Sequence, residues 1–186
     1  MPHADRSNKS NMPELIPVLE GEAVQKKVAD LGRKISADYE SCDLVVIGVL
    51  KGAFIFMADL VRRIRNEKLI TDFVRATSYG TGVNSSGYIR ILKDIEVNIR
   101  GKDILLVEDI LDSGLTASYL IEHFKQHNPK SIKLCTFIDK RERREVEIEA
   151  DYVGHSMDSG FVVGYGLDHA ELYRHLPGLY ILELDS

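Results

Sequence analysis

With 186 residues, the chain is long enough for one domain with a sizeable core, and 44% hydrophobic and 28% charged residues is an ordinary globular composition. A formal net charge of −5 argues against a protein that coats nucleic acid or binds an anionic membrane, and no segment is long and apolar enough to span a bilayer. Cys42 and Cys135 lie in or beside apolar runs, so we expect free thiols, a reducing compartment and a cytoplasmic location.

The N-terminal residues 1–14 are polar and contain no apolar signal core, so we predict a disordered leader followed by a single domain over residues 15–186. An amphipathic helix is predicted over residues 21–39, because apolar residues recur there at helical spacing. The other predicted elements are strand 43–50, helix 52–64, strands 71–79, 88–95 and 103–108, helix 114–127, strand 131–139, and short strands 151–157, 161–167 and 179–184.

Two segments between these elements are predicted to be irregular. Residues 80–87 are rich in Gly, Ser and Asn, which is typical of a mobile loop. Residues 140–150 carry many charges and are predicted to be largely solvated.

The alternation of strands and helices predicts an α/β fold with right-handed crossovers and a parallel sheet. Ligands of such sheets bind beyond the carboxyl ends of the strands. The segments expected at those ends are residues 50–52, 108–116 and 139–140.

The stretch DILLVEDILDSGLT, residues 103–116, combines two kinds of ligand-binding group. Backbone N–H groups at the start of the predicted helix attract an anion, and the hydroxyls of Ser113 and Thr116 add donors. The carboxylates of Glu108 and Asp109 would repel a bare phosphate, but they suit the hydroxyls of a diol or a hydrated Mg²⁺ ion. A ribose 5-phosphate has both a phosphate and a diol, so it is the ligand that this stretch predicts.

The segment VEDILDSGLT, residues 107–116, resembles the phosphoribosyl-diphosphate signature of the type I phosphoribosyltransferases. The resemblance implies that this segment binds the ribose and its 5-phosphate through Glu108, Asp109, Asp112, Ser113, Gly114, Leu115 and Thr116. It also implies the type I phosphoribosyltransferase fold, which is a central, mainly parallel, twisted sheet flanked by helices. A small hood, formed by the N-terminal part and residues 151–186, and a flexible lid over residues 78–88 would complete that fold.

Three shorter matches occur in the order of the family. Lys51-Gly52 corresponds to the loop that holds the pyrophosphate, and Ser78-Tyr79 opens the segment that corresponds to the lid. Lys140 corresponds to the lysine that reads the 6-oxo group of a purine. A lid would exclude water from the cation-like ribose of the transition state.

The stretch FVVGYGLDHAELYRHLPGL, residues 161–179, is similar to the hypoxanthine and guanine members of the family. The similarity implies that Phe161 stacks on the base, that backbone groups of Val162 bind the base edge, and that Arg174 grips pyrophosphate. Asp168 would lie beside the purine and bind a second Mg²⁺. The implied metal ligands are therefore Glu108, Asp109 and Asp168.

The resemblance implies transfer of a phosphoribosyl group from phosphoribosyl diphosphate to hypoxanthine, and to guanine as well, in a homodimer or homotetramer. Asp112 is the predicted general base for the purine, and its alternative role is to cap the following helix. A xanthine-preferring enzyme and a phosphoribosyltransferase-like RNA-binding regulator are the alternatives. Lys140 disfavours adenine, because an ammonium group cannot accept a hydrogen bond from an exocyclic amine.

Overall fold

A computed structural model of the chain describes residues 13–79 and 88–183. Most of the predicted leader, residues 1–12, therefore lies outside the described residues. The helices and strands are β1 (Leu15–Leu19), α1 (Gly21–Asp38), β2 (Leu44–Leu50), α2 (Phe54–Val61), β3 (Ile70–Tyr79), β4 (Tyr88–Lys93), β5 (Asp103–Leu111), α3 (Leu115–Lys125), β6 (Ser131–Lys140), β7 (Tyr152–Met157), β8 (Val162–Val163) and β9 (Leu179–Leu182).

The main sheet has six strands in the order β4-β3-β2-β5-β6-β7. All neighbouring strands are parallel except β4, which pairs antiparallel with β3 at one edge. The central strands are buried on both faces, as their continuous apolar sequences predict. The predicted fold class, an α/β fold with a central, mainly parallel sheet, is thus confirmed.

The two faces of this sheet pack against different helices. Helices α1 and α2 cover one face and bury Val28, Ile35 and Phe56 with alternate residues of β2 and β5. Helix α3 covers the other face, where Leu120 and Phe124 contact the remaining residues of those strands. No described helix is long and apolar enough to cross a membrane.

A second sheet of three strands has the order β1-β9-β8, and it joins the two ends of the described chain. Strand β1 begins at Leu15 and was not predicted, because it is short and contains Pro17, which sequence patterns associate with loops. The predicted hood included residues 151–157, but β7 in that range pairs with β6 in the main sheet, because the end of β6 offers it a parallel partner.

Two strand boundaries differ from the sequence prediction by three residues or more. Strand β5 continues to Leu111 because Ile110 and Leu111 still pair with β6, so the acidic pair lies inside the strand. Strand β8 contains only two residues, since Gly164 and Gly166 take positive φ values of 94° and 104° and turn the chain away.

Candidate active site

A cavity of about 240 Å³ opens at the carboxyl ends of β2, β3 and β5, where the predicted phosphate turn lies. Its walls are Val49, Ala76, Glu108, Asp109, Ile110, Asp112, Ser113, Gly114, Thr116 and Ala117. A larger cavity of about 900 Å³ lies near α1 and α2, but its charged lining includes the carboxylates of Glu20, Glu22 and Asp59. The smaller cavity is the candidate site, because it combines carboxylates with the start of a helix.

The turn between β5 and α3 presents backbone N–H groups to the cavity. Helix α3 has Gly114 at its N-cap, and no side chain caps it. The first backbone bond of the helix runs from Ser118 N to Gly114 O at 2.9 Å, so Thr116 and Ala117 have N–H groups without an intrahelical acceptor. Such groups bind anions. Asp112 does not cap the helix, which leaves its carboxylate for another role.

Gly114 is required by both conformation and packing. Its φ of 81° lies in the left-handed region, which a side chain rarely adopts. A Cβ atom there would lie 2.6 Å from Ile148 Cγ2 and 3.1 Å from Arg144 Cδ. The segment after β6 therefore packs directly on the outside of the turn.

Two acids of β5 lie deep in the cavity. Glu108 is buried, while Asp109 keeps some exposure. Burial, and then the charge of Asp109, raises the pKa of Glu108 to about 8. Burial also raises the pKa of Asp109 to about 6, against the lowering effects of its backbone hydrogen bonds and of Arg174. Carboxyl groups that are buried and have raised pKa values favour a ligand that brings hydroxyl donors or positive charge.

Asp112 and Lys140 face each other across the ends of β5 and β6. Lys140 Nζ lies 3.6 Å from Asp112 Oδ1 and donates a hydrogen bond to Gly160 O at 3.3 Å. Asp112 Oδ1 is buried and has no hydrogen-bond partner among the described residues. The structure therefore brings the predicted base close to the predicted purine-reading lysine.

The predicted purine side lies next to that lysine. Phe161 is 44% exposed, and its ring is nearly perpendicular to that of His169, with the ring centroids 5.4 Å apart. Val162 is buried and pairs with Ile181 in the small sheet. Phe161 follows Gly160, whose carbonyl accepts the hydrogen bond from Lys140. Its exposed aromatic face is suited to stacking on a planar base.

Lys51 and Gly52 follow β2 and reach the same edge of the sheet. A Cβ atom on Gly52 would overlap the carboxylate of Asp109, so only glycine allows this loop to lie against the acid. Lys51 forms an ion pair with Glu171, with an N–O distance of 3.0 Å.

Arg174 lies in the loop after β8 and is held in place by three partners. It binds Asp168 Oδ1 at 2.7 Å, Gly166 O at 2.7 Å and Glu171 Oε2 at 3.3 Å. Glu171 thus bridges Lys51 and Arg174, the two cations predicted to bind pyrophosphate. Its position between them was not predicted, because it depends on a contact between residues 120 apart in the sequence.

The prediction that residues 140–150 are largely solvated is wrong for Arg144. Its side chain is only 16% exposed and forms an ion pair of 2.6 Å with buried Asp139. The sequence signal for the burial of Arg144 is weak, since one arginine in a charged run has no periodicity.

The predicted lid begins at the end of β3, where Ser78 and Tyr79 pair with β4 in the backbone ladder, and residues 80–87 lie outside the described residues.

The family model described as "Phosphoribosyl transferase domain" matches residues 17–170, which is most of the chain and includes the cavity. The chain belongs to the phosphoribosyltransferase family. The predicted family is thus confirmed.

This phosphoribosyltransferase is similar to curated proteins over most of its length. It is 48% identical to the hypoxanthine-guanine phosphoribosyltransferase of Bacillus subtilis over 87% of this chain and 89% of that protein. It is 44% identical to the hypoxanthine phosphoribosyltransferase of Escherichia coli over 91% of this chain and 94% of that protein. It is also 49% identical to the bifunctional protein TilS/HprT of Listeria monocytogenes over 86% of this chain, but spans only 24% of that protein.

Solved structures show the same fold. A hypoxanthine-guanine phosphoribosyltransferase from Bacillus anthracis matches with a TM-score of 0.87 and 47% identity, over 91% of this phosphoribosyltransferase and 100% of that chain. A hypoxanthine phosphoribosyltransferase from Staphylococcus aureus matches with a TM-score of 0.88 and 39% identity, over 97% of both chains.

Proposed function

We propose that the chain is a hypoxanthine phosphoribosyltransferase that also accepts guanine. The reaction forms a bond between N9 of the purine and C1′ of the ribose, breaks the bond from C1′ to the diphosphate, and gives IMP or GMP with pyrophosphate. The observation that carries the proposal is the cavity in which free N–H groups of α3 lie beside the buried Glu108 and the half-buried Asp109. The names of the curated relatives support the choice of a 6-oxopurine.

The ribose 5-phosphate is assigned to the cavity at the end of β5. The N–H groups at the start of α3 and the hydroxyls of Ser113 and Thr116 bind the phosphate. Glu108 and Asp109 accept hydrogen bonds from the ribose hydroxyls, and Gly114 and Leu115 supply the backbone of the turn.

Pyrophosphate is assigned to the neighbouring loops. Lys51 and Arg174 supply positive charge, and the backbone of Gly52 approaches the diphosphate closely. This assignment is supported by Glu171, whose carboxylate already lies between these two cations.

The purine is assigned to the space between Lys140 and Phe161. Lys140 donates to the 6-oxo group, Phe161 stacks on the ring, and backbone groups of Val162 bind its edge. Asp168 is assigned to the edge of this space. Asp112 is the general base, because its Oδ1 lacks a hydrogen-bond partner within the described part and is close to Lys140. It accepts the purine proton at N7 as N9 attacks C1′.

The acids of the site fit a magnesium ion. The described residues contain no group of three or more His, Cys, Asp or Glu side chains arranged for a metal, so the ion would be held by few carboxylates together with ligand oxygens. Glu108, Asp109 and Asp168 are the candidate donors, and a cation would offset both the burial and the nearby charge of Asp109, which in that order raise the pKa of Glu108. When bound, Mg²⁺ neutralises the charge of the leaving diphosphate.

The remaining parts of the proposal concern organisation. Residues 15–186 form one domain, the small sheet belongs to a hood, and residues 78–88 close over the substrates as a lid that begins at Ser78 and Tyr79. We also propose a homodimer or homotetramer that binds neither nucleic acid nor membrane. A cytoplasmic location is supported by the free thiols of Cys42 and Cys135.

The test is a spectrophotometric screen of hypoxanthine, guanine, xanthine and adenine, each with phosphoribosyl diphosphate and Mg²⁺. We expect nucleotide from hypoxanthine and guanine, and none from adenine. Nucleotide from xanthine in preference to hypoxanthine would identify the xanthine enzyme instead. If no base reacts and the protein retards RNA in a salt-dependent manner, the regulator is the correct assignment.

A further inference from the structure

Arg144 lies in the segment after β6 and differs from its neighbours in burial. Its side chain is 16% exposed, whereas the side chains of Arg141 and Arg143 are each 71% exposed. Burying an arginine costs free energy unless its N–H groups find acceptors. The partners of Arg144 therefore show what its burial serves.

Its guanidinium joins the ends of two neighbouring strands. At the end of β5, Nε donates to Asp112 O at 2.9 Å and Nη2 donates to Leu111 O at 3.0 Å. At the end of β6, Nη2 binds Asp139 Oδ1 at 2.6 Å and Lys140 O at 3.4 Å.

The same segment also packs on the phosphate turn. Nη1 of Arg144 donates to Ile148 O at 2.5 Å, which folds residues 144–148 into a compact strap. Within the strap, Glu145 N donates to Ser113 O at 2.9 Å, and the side chain of Ile148 lies against Gly114. The strap thus supports the turn from the side opposite the cavity.

We propose that Arg144 is a positioning residue that fixes Asp112, and with it the phosphate turn, relative to Lys140. The inference rests on the proposed function for the roles of Asp112 and Lys140, but the contacts do not depend on it. Arg144 touches no reacting atom in this assignment and acts through the backbone on either side of the Asp112 carboxylate.

Asp112 needs this support because, among the described residues, its side chain is held only by long ion pairs, at 3.6 Å to Lys140 and 3.7 Å to Arg143. Its Oδ1 accepts no hydrogen bond within the described part of the chain, and the nearest cation is 3.6 Å away. The carbonyls of Leu111 and Asp112 both accept from Arg144, so the guanidinium defines where the carboxylate points. A lysine could not replace it, since one ammonium group cannot reach acceptors on both strands in a fixed plane.

The test compares Arg144→Gln with Arg141→Gln. Both variants lose one arginine from the same segment, and both arginines contact Asp139, but Arg141 is exposed. We expect Arg144→Gln to lower kcat for IMP synthesis by about 10- to 100-fold, which is the cost of a small misplacement of a reacting group. It should also weaken the binding of ribose 5-phosphate, measured by calorimetry, whereas Arg141→Gln should leave both quantities near the wild-type values.

A double-mutant cycle with Asp112→Asn separates positioning from general support of the fold. If Arg144 acts through Asp112, Arg144→Gln should lower kcat much less in the Asp112→Asn background than in the wild type. Equal effects in both backgrounds would overturn the proposal. All rates are to be measured well below the melting temperature of each variant, so that a loss of stability alone does not change kcat.

A second variant and a binding measurement cover the cases in which Arg144→Gln does not fold or the wild-type protein is inactive. Should Arg144→Gln fail to fold, Arg144→Lys keeps the charge and should still lower kcat, and a wild-type kcat in that variant would reject the proposal. If wild-type protein makes no nucleotide from any purine, the proposed function fails. The weaker binding of ribose 5-phosphate by Arg144→Gln would then still support the role of Arg144 at the turn.

Discussion

The two anion-binding regions at this edge of the sheet are built in different ways. The phosphate turn after β5 relies on backbone groups and packing, since Gly114 lies against Ile148 and the semi-buried Arg144 binds backbone carbonyls. The pyrophosphate region relies on ion pairs near the surface, where the side chains of Lys51 and Glu171 are 46% and 63% exposed.

This difference matches what each region has to do in the proposed reaction. The 5-phosphate stays bound while the bond at C1′ changes, so its site gains from rigidity. Pyrophosphate has to leave, and exposed ion pairs are weak and can exchange with water or with an anion. The pyrophosphate region also contains Ala170, Glu171 and Tyr173 with positive φ values of 50°, 68° and 74°, a strained backbone that is common at ligand-binding loops.

The largest expected effect is on the single-turnover rate, and it comes from a change at Asp112 in the phosphate turn. Asp112→Asn removes the proposed base but keeps the shape of the side chain, so the single-turnover rate should fall by about 100-fold or more. Asp43→Asn is the matched control, because the side chain of Asp43 is 59% exposed and pairs only with Lys68 among the described residues. A single-turnover rate that matches wild type in Asp112→Asn would show that Asp112 is not the base.

Gly114→Ala should disturb the turn itself. The new Cβ atom would lie 2.6 Å from Ile148 and would need a positive φ, so we expect a loss of about 1–3 kcal/mol in the free energy of unfolding and weaker binding of ribose 5-phosphate. Gly101→Ala is the control for the conformational part, because Gly101 has a φ of 72° and open space around it. If urea denaturation gives the same loss in the free energy of unfolding for both variants, the packing of Ile148 against the turn does not contribute to stability.

The buried Glu108 of β5 predicts a pH dependence that the exposed Glu171 does not share. The pKa of Glu108 is about 8 in the folded chain, above its ordinary value, so the folded state binds more protons than the unfolded state and its stability falls as pH rises. Glu108→Gln removes this effect. Its free energy of unfolding minus that of wild type should therefore increase between about pH 5 and pH 8, by about 1–3 kcal/mol.

Urea denaturation in the presence of a chelator tests this expectation. Glu171→Gln is the comparison, since Lys51 and then Arg174 lower the pKa of Glu171, and its contribution is present above its ordinary pKa and is lost only as the pH falls below it. A constant difference between Glu108→Gln and wild type over the same pH range would contradict the assignment of a buried, raised acid.

The smallest expected effect is on pyrophosphate inhibition. Glu171 competes with pyrophosphate for Lys51 and Arg174, so Glu171→Gln should lower the inhibition constant of pyrophosphate by about two- to fivefold. Glu122→Gln removes a comparable exposed ion pair with Lys125 and should change nothing. An inhibition constant that is the same in all three proteins would show that Glu171 does not compete.

The sequence was sufficient for features that depend on neighbouring residues. The apolar run of β5, the turn after it and helix α3 lie within one short stretch, so their pattern predicted both the fold and the candidate cavity. Contacts between distant residues were not predictable. Arg144 binds carbonyls more than 30 residues away along the chain, with sequence separations of 32 and 33, and nothing in the run around it distinguishes it from Arg143.

The small sheet shows the same limit. Strand β1 exists because β9 pairs with it, and its five residues carry no alternating pattern strong enough to stand alone. The segment 161–167 was predicted as a strand from its apolar residues, but the positive φ values of its glycines end the strand after Val163.

The burial of Cys135 gives the chain an internal reporter of unfolding. Cys135 lies on β6, five residues before Lys140, is 0% exposed, and burial raises the pKa of its thiol. A thiol-modifying reagent can reach it only when the main sheet opens, whereas Cys42 at the edge of the core is partly accessible. The slow phase of labelling in a stopped-flow trace should therefore measure how often the sheet separates, in unmodified protein and without denaturant.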